Sequence, residues 1–210
     1  MNKLICFDFD GTLTEKSSWY LFNTHFGMTP EEDHSLFHQY LENGFDYKNW
    51  MLEIVRILKE RGHCTKDAVA EFAQTISVRE DAQSTITALK EKGYKVIVYS
   101  GGLKQVIEPV ALMIGADEVY TTAELVFDEN GVFHSIIDQS DEMHAKVKAF
   151  IALCVRYGID ESEAVVVGDG GNDLEIFRRS KKAIQIGNYE PLKEYAWKQV
   201  QSLSEIKELL

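Results

Sequence analysis

The chain has 210 residues, 45% of them hydrophobic, enough for a packed core in one domain or in one domain carrying an inserted lobe. Its 22 basic and 34 acidic side chains give a formal charge of -12, which argues against a nucleic-acid backbone or an anionic membrane surface as partner. Cys6, Cys64 and Cys154 are widely spaced without a CxxC pair, so they read as buried thiols rather than a disulfide or zinc framework; with no run near the ~20 apolar residues of a membrane span, a cytoplasmic enzyme is expected.

The first predicted element is an apolar strand, Lys3-Leu4-Ile5-Cys6-Phe7, that runs into Asp8-Phe9-Asp10-Gly11. Alternation along a strand sends Asp8 and Asp10 to one side, and Gly11 permits a sharp turn after them. Two unit charges about 4 Å apart repel by roughly 4 kcal/mol at an effective dielectric near 20, so a metal cation, a proton or a lysine is expected beside them. From about Ser17 to Ile76 the pattern is helical and divides into four helices, with a start signal at Thr29-Pro30-Glu31-Glu32 and a stop at Gly62. After Val78, helices alternate with short buried strands, of which Lys95–Tyr99, Ala164–Val167 and Ala183–Ile186 are the clearest. A peripheral hairpin is expected between Thr121 and Ile137, turning at Asn130-Gly131. The fold class is therefore α/β, a Rossmann-like parallel sheet with helices on both faces. Residues 1–15 and 78–210 form its core, and an all-helical cap, 16–77, is inserted after the first strand, over the strand ends where ligands bind.

Three more polar clusters follow strands. Ser100-Gly101-Gly102 offers a hydroxyl and exposed amides suited to a phosphate oxygen, or merely a tight strand-to-helix turn. In Gly168-Asp169-Gly170-Gly171-Asn172-Asp173, Asp169 falls at a strand end and Asp173 in the first helical turn, so both acids face one volume; oxygen ligands in that number suit a hard cation such as Mg2+ better than they suit capping alone. In Met143-His144-Ala145-Lys146-Val147-Lys148, a lysine at a helix start opposes the helix dipole, which hints at a partner elsewhere; spacing leaves Lys146 and Lys148 both eligible, or either as a solvated charge.

Taken in order, Asp8-Phe9-Asp10-Gly11-Thr12-Leu13-Thr14, Ser100-Gly101-Gly102, Lys146 and Gly168 to Asp173 resemble the signature of the haloacid dehalogenase superfamily, in its phosphoserine phosphatase-like branch, over nearly the whole chain. The resemblance favours Lys146 over Lys148, through the His144-Ala145-Lys146 context. It implies a phosphatase acting on a small-molecule phosphomonoester through a phosphoaspartyl intermediate, with Asp8 as nucleophile and Asp10 as general acid and then base. It also implies Mg2+ held by Asp8, the Asp10 backbone carbonyl and Asp169, with Asp173 as ligand or as support to one, and phosphoryl oxygens held by Ser100, Gly101, Lys146 and Asn172. A phosphotransferase or mutase using the same intermediate is the alternative, as is a phosphoserine phosphatase with a variant cap; dehalogenation would need neither Asp10 nor a metal. The departures from the phosphoserine-specific pattern lie in the cap. Ser17 stands where an acid would receive the substrate ammonium, with Glu15 nearby, and Ile54 stands where an arginine would receive its carboxylate, with Arg56 two positions on. Phosphoserine is therefore not the expected substrate. Cap aromatics (Trp19, Tyr20, Phe22, Phe26, Phe37, Tyr40, Phe45, Tyr47, Trp50) read first as a helical core and second as a wall for an aromatic ring or an ammonium group, and His25, His34 and His38 as polar-face residues.

Overall fold

Lys3–Phe7 forms β1, every residue of it after Lys3 buried, because this strand lies at the centre of a seven-stranded sheet. The structure, a computed structural model, describes residues 3–42, 47–61, 63–138 and 142–210; Phe45 and the Gly62 stop lie outside these, as do the side chains of Tyr40 and Tyr47. After β1 come the four expected helices, α1 (Ser18–His25), α2 (Pro30–Glu42), α3 (Tyr47–Arg61) and α4 (Lys66–Ala73). Their starts are written in the sequence: Ser17 Oγ accepts from the Tyr20 amide, Thr29 and Glu32 cap each other reciprocally, and Thr65 Oγ1 accepts from the Ala68 amide.

The chain then alternates through α5 (Ala82–Glu91), β2 (Tyr94–Leu103), α6 (Lys104–Met113), β3 (Glu118–Phe127), β4 (Phe133–Asp138), α7 (Glu142–Tyr157), β5 (Val165–Gly168), a 3-10 turn (Gly171–Asp173) and α8 (Leu174–Phe177). It closes with β6 (Lys182–Ile186), α9 (Glu190–Lys193), β7 (Lys198–Val200) and α10 (Leu203–Leu209). The strand order is β4-β3-β2-β1-β5-β6-β7, with every pairing parallel except β3 with β4. The expected hairpin is thus β3–β4, turned by Gly131 at φ +76°, with β4 at the sheet edge. The first half of β3 and the short β7 carry weak sequence signals: β3 opens half-buried and β7 exposes two of its three residues.

Alternation along β1 sorts the core. Ile5 and Phe7 face a cluster that includes Val96, Val98, Val165, Val167, the helices α5, α6 and α10, and, continuously, Phe22, Phe26, Ile54 and Phe72 of the four-helix segment. Leu4 and Cys6 face the other cluster, with Ile97, Tyr99 and Val166 under Phe150 and Cys154 of α7. Helices therefore cover both faces, as a parallel sheet requires. All three cysteines are free and buried, and burial pushes the Cys6 thiol well above its usual range. Among the described residues no helix is long and apolar enough to cross a membrane.

Candidate active site

The strand order reverses at β1: the chain proceeds outward through β2 and β3 on one side and through β5, β6 and β7 on the other. The carboxyl ends of β1, β2 and β5 therefore flank a crevice at the topological switch point, where open α/β sheets bind ligands. Asp8 follows β1 directly, its amide donating to the Val167 carbonyl at 2.8 Å, and is 2% exposed. Gly11, at φ +76°, then turns the loop against the end of β5: a Cβ there would sit 2.1 Å from Asp169 Oδ2, so any other residue would be strained and would displace the Asp169 carboxylate. Thr12 Oγ1 donates across that contact to Asp169 Oδ1 at 3.1 Å.

Lys146 settles the question left open by spacing. It is 0% exposed, whereas Lys148 is exposed, and its Nζ donates to Asp8 Oδ1 at 2.8 Å and to Asp173 Oδ1 at 3.2 Å. The ammonium also lies 5.0 Å over the Tyr99 ring, whose hydroxyl donates to Asp173 Oδ1 at 3.3 Å. One cation thus serves several acids. Burial, reinforced by the negative charge of Asp173 and Asp169, holds the Asp8 carboxyl well above its usual range despite Lys146. Burial and the Asp173 charge likewise push Asp169 up to about 6. Each offers a carboxylate oxygen, and those of Asp8, Asp169 and Asp173 all lie within 4.8 Å of one another. An all-oxygen, excess-anionic donor set of this size fits a hard divalent cation, which would favour the ionised forms that burial opposes.

Asp10 is arranged differently. Its carboxylate is outside that cluster and accepts from the Ser18 amide at 2.7 Å and from Ser18 Oγ at 2.8 Å, which fastens it to the first turn of α1. Sequence reasoning missed Ser18, Tyr99 and also Arg79, which donates from Nε to the Thr12 carbonyl at 2.9 Å and from Nη2 to the Gly11 carbonyl at 3.0 Å, bracing the loop from behind. The cluster at Ser100 also departs from expectation. Ser100, Gly101 and Gly102 continue β2, which shifts register between Ser100 and Leu103 while still paired with β3, so they are a bulged strand end and not the N-terminus of α6. Ser100 Oγ accepts from the Gly102 amide at 3.1 Å, and the Gly101 carbonyl accepts from Trp19 Nε1 at 3.1 Å.

A cavity of about 420 Å³ opens over these groups. Asp8, Asp10, Ser100, Gly101, Asp169, Gly170 and Asn172 line its floor, while Lys146 and Asp173 support the floor from below. Its other wall is Ser17, Trp19 and Tyr20 of the first helical turn, Asp33, His34 and Phe37 of α2, and Trp50 of α3. The aromatics of the four-helix segment divide accordingly: Phe22 and Phe26 pack with Phe72 in the core, whereas Trp19, Tyr20, Phe37 and Trp50 line the cavity. His25 packs on Phe26 and Phe72, and His34 reaches the cavity wall from an exposed position. Of the residues near the two departures, Ser17 lines the cavity; Glu15 faces away toward Arg79, Ile54 is core, and Arg56 pairs with Glu53 and Glu60 on the far side of α3.

The chain matches the family model of the haloacid dehalogenase-like hydrolases over residues 2–181 and belongs to that family. It is 26% identical over 194 residues to the phosphoserine phosphatase of Methanocaldococcus jannaschii, covering 92% of this chain and 90% of that one. It is also 26% identical over 182 residues to the phosphoserine phosphatase of Wolinella succinogenes, covering 87% and 86%. A solved phosphoserine phosphatase carrying a phospho-aspartyl intermediate analogue superposes with a TM-score of 0.82 at 25% identity, over 100% of this chain and 99% of the other.

Proposed function

We propose that this haloacid dehalogenase-type phosphatase hydrolyses a small-molecule phosphomonoester through a phosphoaspartyl intermediate on Asp8, with 1–15 and 78–210 as catalytic core and 16–77 as a cap that reads the leaving group. The observation that carries the reading is the gathering of Asp8, Asp169, Asp173 and Lys146 at one cavity, from three separate stretches of chain.

In the first step an Asp8 carboxylate oxygen attacks phosphorus and the ester P–O bond breaks, while Asp10 gives its proton to the departing alkoxide. In the second, water attacks the phosphorus of the acyl phosphate and loses a proton to Asp10; the bond from phosphorus to Asp8 breaks, releasing inorganic phosphate and restoring both side chains. Ser18 orients Asp10 for both transfers through its amide and hydroxyl. Lys146 offsets charge at Asp8, and Ser100, the Gly101 amide and Asn172, residues that line the cavity, would hold phosphoryl oxygens. Mg2+ on Asp8, Asp169 and the Asp10 carbonyl, with Asp173 as ligand or support, would supply the positive charge that a phosphoryl group with several anionic oxygens needs.

The test is steady-state release of inorganic phosphate from p-nitrophenyl phosphate with Mg2+. Asp8→Asn should lower the rate by about 10³-fold or more with an unchanged circular dichroism spectrum, and EDTA should abolish it reversibly. Retained turnover in the variant, or in the chelated enzyme, would overturn the mechanism.

A further inference from the structure

The cap wall carries a chemical preference of its own. Four aromatic side chains reach the cavity: Trp50, 6% exposed, is fixed edge-on to Trp19 at 5.2 Å between ring centroids, whereas Tyr20 and Phe37 are 37% and 49% exposed. Trp19 is fixed in turn by its bond to the Gly101 carbonyl, so the aromatic wall is tied to the phosphate end of the site. The same cavity is lined by Asp33 of α2, half-buried, whose Oδ1 accepts from the Nδ2 of the buried Asn23 at 2.8 Å. A neutral amide positions that carboxylate without neutralising it. Among the described residues no lysine or arginine pairs with Asp33 and none lines the cavity, and residues 1–2, 43–46, 62 and 139–141, outside the description, contain neither type in their sequence.

A carboxylate and several aromatic rings lining one space select a cation, since a carboxylate and the π face of a ring both attract positive charge and an aromatic wall removes competing water. The same wall rejects a carboxylate, because an anion there would meet Asp33 and the negative faces of the rings with no guanidinium or ammonium to receive it. We infer that the leaving group is an alcohol bearing an ammonium group and no carboxylate, so that the substrate is the phosphomonoester of a primary or quaternary amino alcohol, its cation seated between Asp33 and the rings of Trp19, Trp50 and Phe37. The inference rests on the phosphatase reading for the phosphate end; the seat for the cation stands on Asp33 and the aromatic wall alone.

The experiment compares isosteric pairs on the intact enzyme with Mg2+. Phosphocholine should exceed its uncharged carbon analogue, 3,3-dimethylbutyl phosphate, by about tenfold or more in kcat/KM, and phosphoethanolamine should exceed phosphoserine by a similar factor. Asp33→Asn and Phe37→Ala should each shrink the phosphocholine preference severalfold, visible as a rise in KM. Equal rates for the isosteric pair, or a preference for phosphoserine, would overturn the inference while p-nitrophenyl phosphate turnover still upheld the phosphatase. If p-nitrophenyl phosphate were not hydrolysed at all, binding decides: quenching of Trp19 and Trp50 fluorescence by 2-aminoethylphosphonate at about tenfold lower concentration than by propylphosphonate supports the cation seat, and equal affinities sink it.

Discussion

Lys146 shows how one buried charge organises its neighbours. An ammonium at zero exposure is tolerated because it bonds Asp8 and Asp173 and lies over Tyr99; removing it leaves two buried carboxylates uncompensated. Lys146→Met should therefore cost about 3–5 kcal/mol in urea unfolding of the metal-free protein. Lys148→Met, two residues on and exposed, should stay within about 0.5 kcal/mol. Equal effects of the two would contradict the assignment. Residue spacing alone left both lysines eligible, since a helix start says nothing about which face meets the sheet; burial against β1 and β2 separated them.

At the scale of elements, the loop after β1 is held by a residue that no motif reveals. Arg79 donates to the Gly11 and Thr12 carbonyls, and its own amide donates to the Leu13 carbonyl at 2.8 Å. Arg79→Met should lower stability by about 1–3 kcal/mol, and should reduce kcat more than it raises KM, because the loop carries Asp10 and touches Asp169, groups of the chemical steps and not of the wall across the cavity. A change confined to KM would show that Arg79 acts on the substrate instead. Its partners are backbone carbonyls more than sixty residues away, which leave no trace in side-chain pattern. The strand end at Ser100 is hidden from local pattern for a related reason. Two glycines after a buried strand suggest a turn, but pairing with β3 carries the strand on through a register shift, and that pairing depends on a partner some twenty residues downstream.

Across the whole molecule, a chain of formal charge -12 gathers three carboxylates, those of Asp8, Asp169 and Asp173, at one crevice. Asp169 is pushed up to about 6, so the folded state binds that proton more tightly than the unfolded chain does. The resulting stability is fully present below the ordinary carboxylate range and is lost as pH rises through about 6. Glu32, held down to about 2 by its bonds to Arg61 and Thr29, runs the other way, and its contribution is lost only at much lower pH. The metal-free protein should accordingly lose thermal stability between pH 5 and pH 7, and Mg2+ should raise the unfolding midpoint more at pH 7 than at pH 5, since ion and proton compete for one carboxylate. A Mg2+ effect independent of pH would remove Asp169 from the ion's ligands.

Strands, helix starts, the hairpin turn and the acids at strand ends were all written locally, in alternation, caps and glycines, because each depends on neighbours a few residues away. The resemblance had already grouped Asp8, Asp169, Asp173 and Lys146, but their distances and burial, the contacts of Ser18 and Arg79, and the lining of one cavity by Asp33 and aromatic residues were decided only by the tertiary structure. Those contacts unite residues from opposite ends of the chain, and the charges they gather are held together by burial and sheet order, neither of which any single stretch of sequence contains.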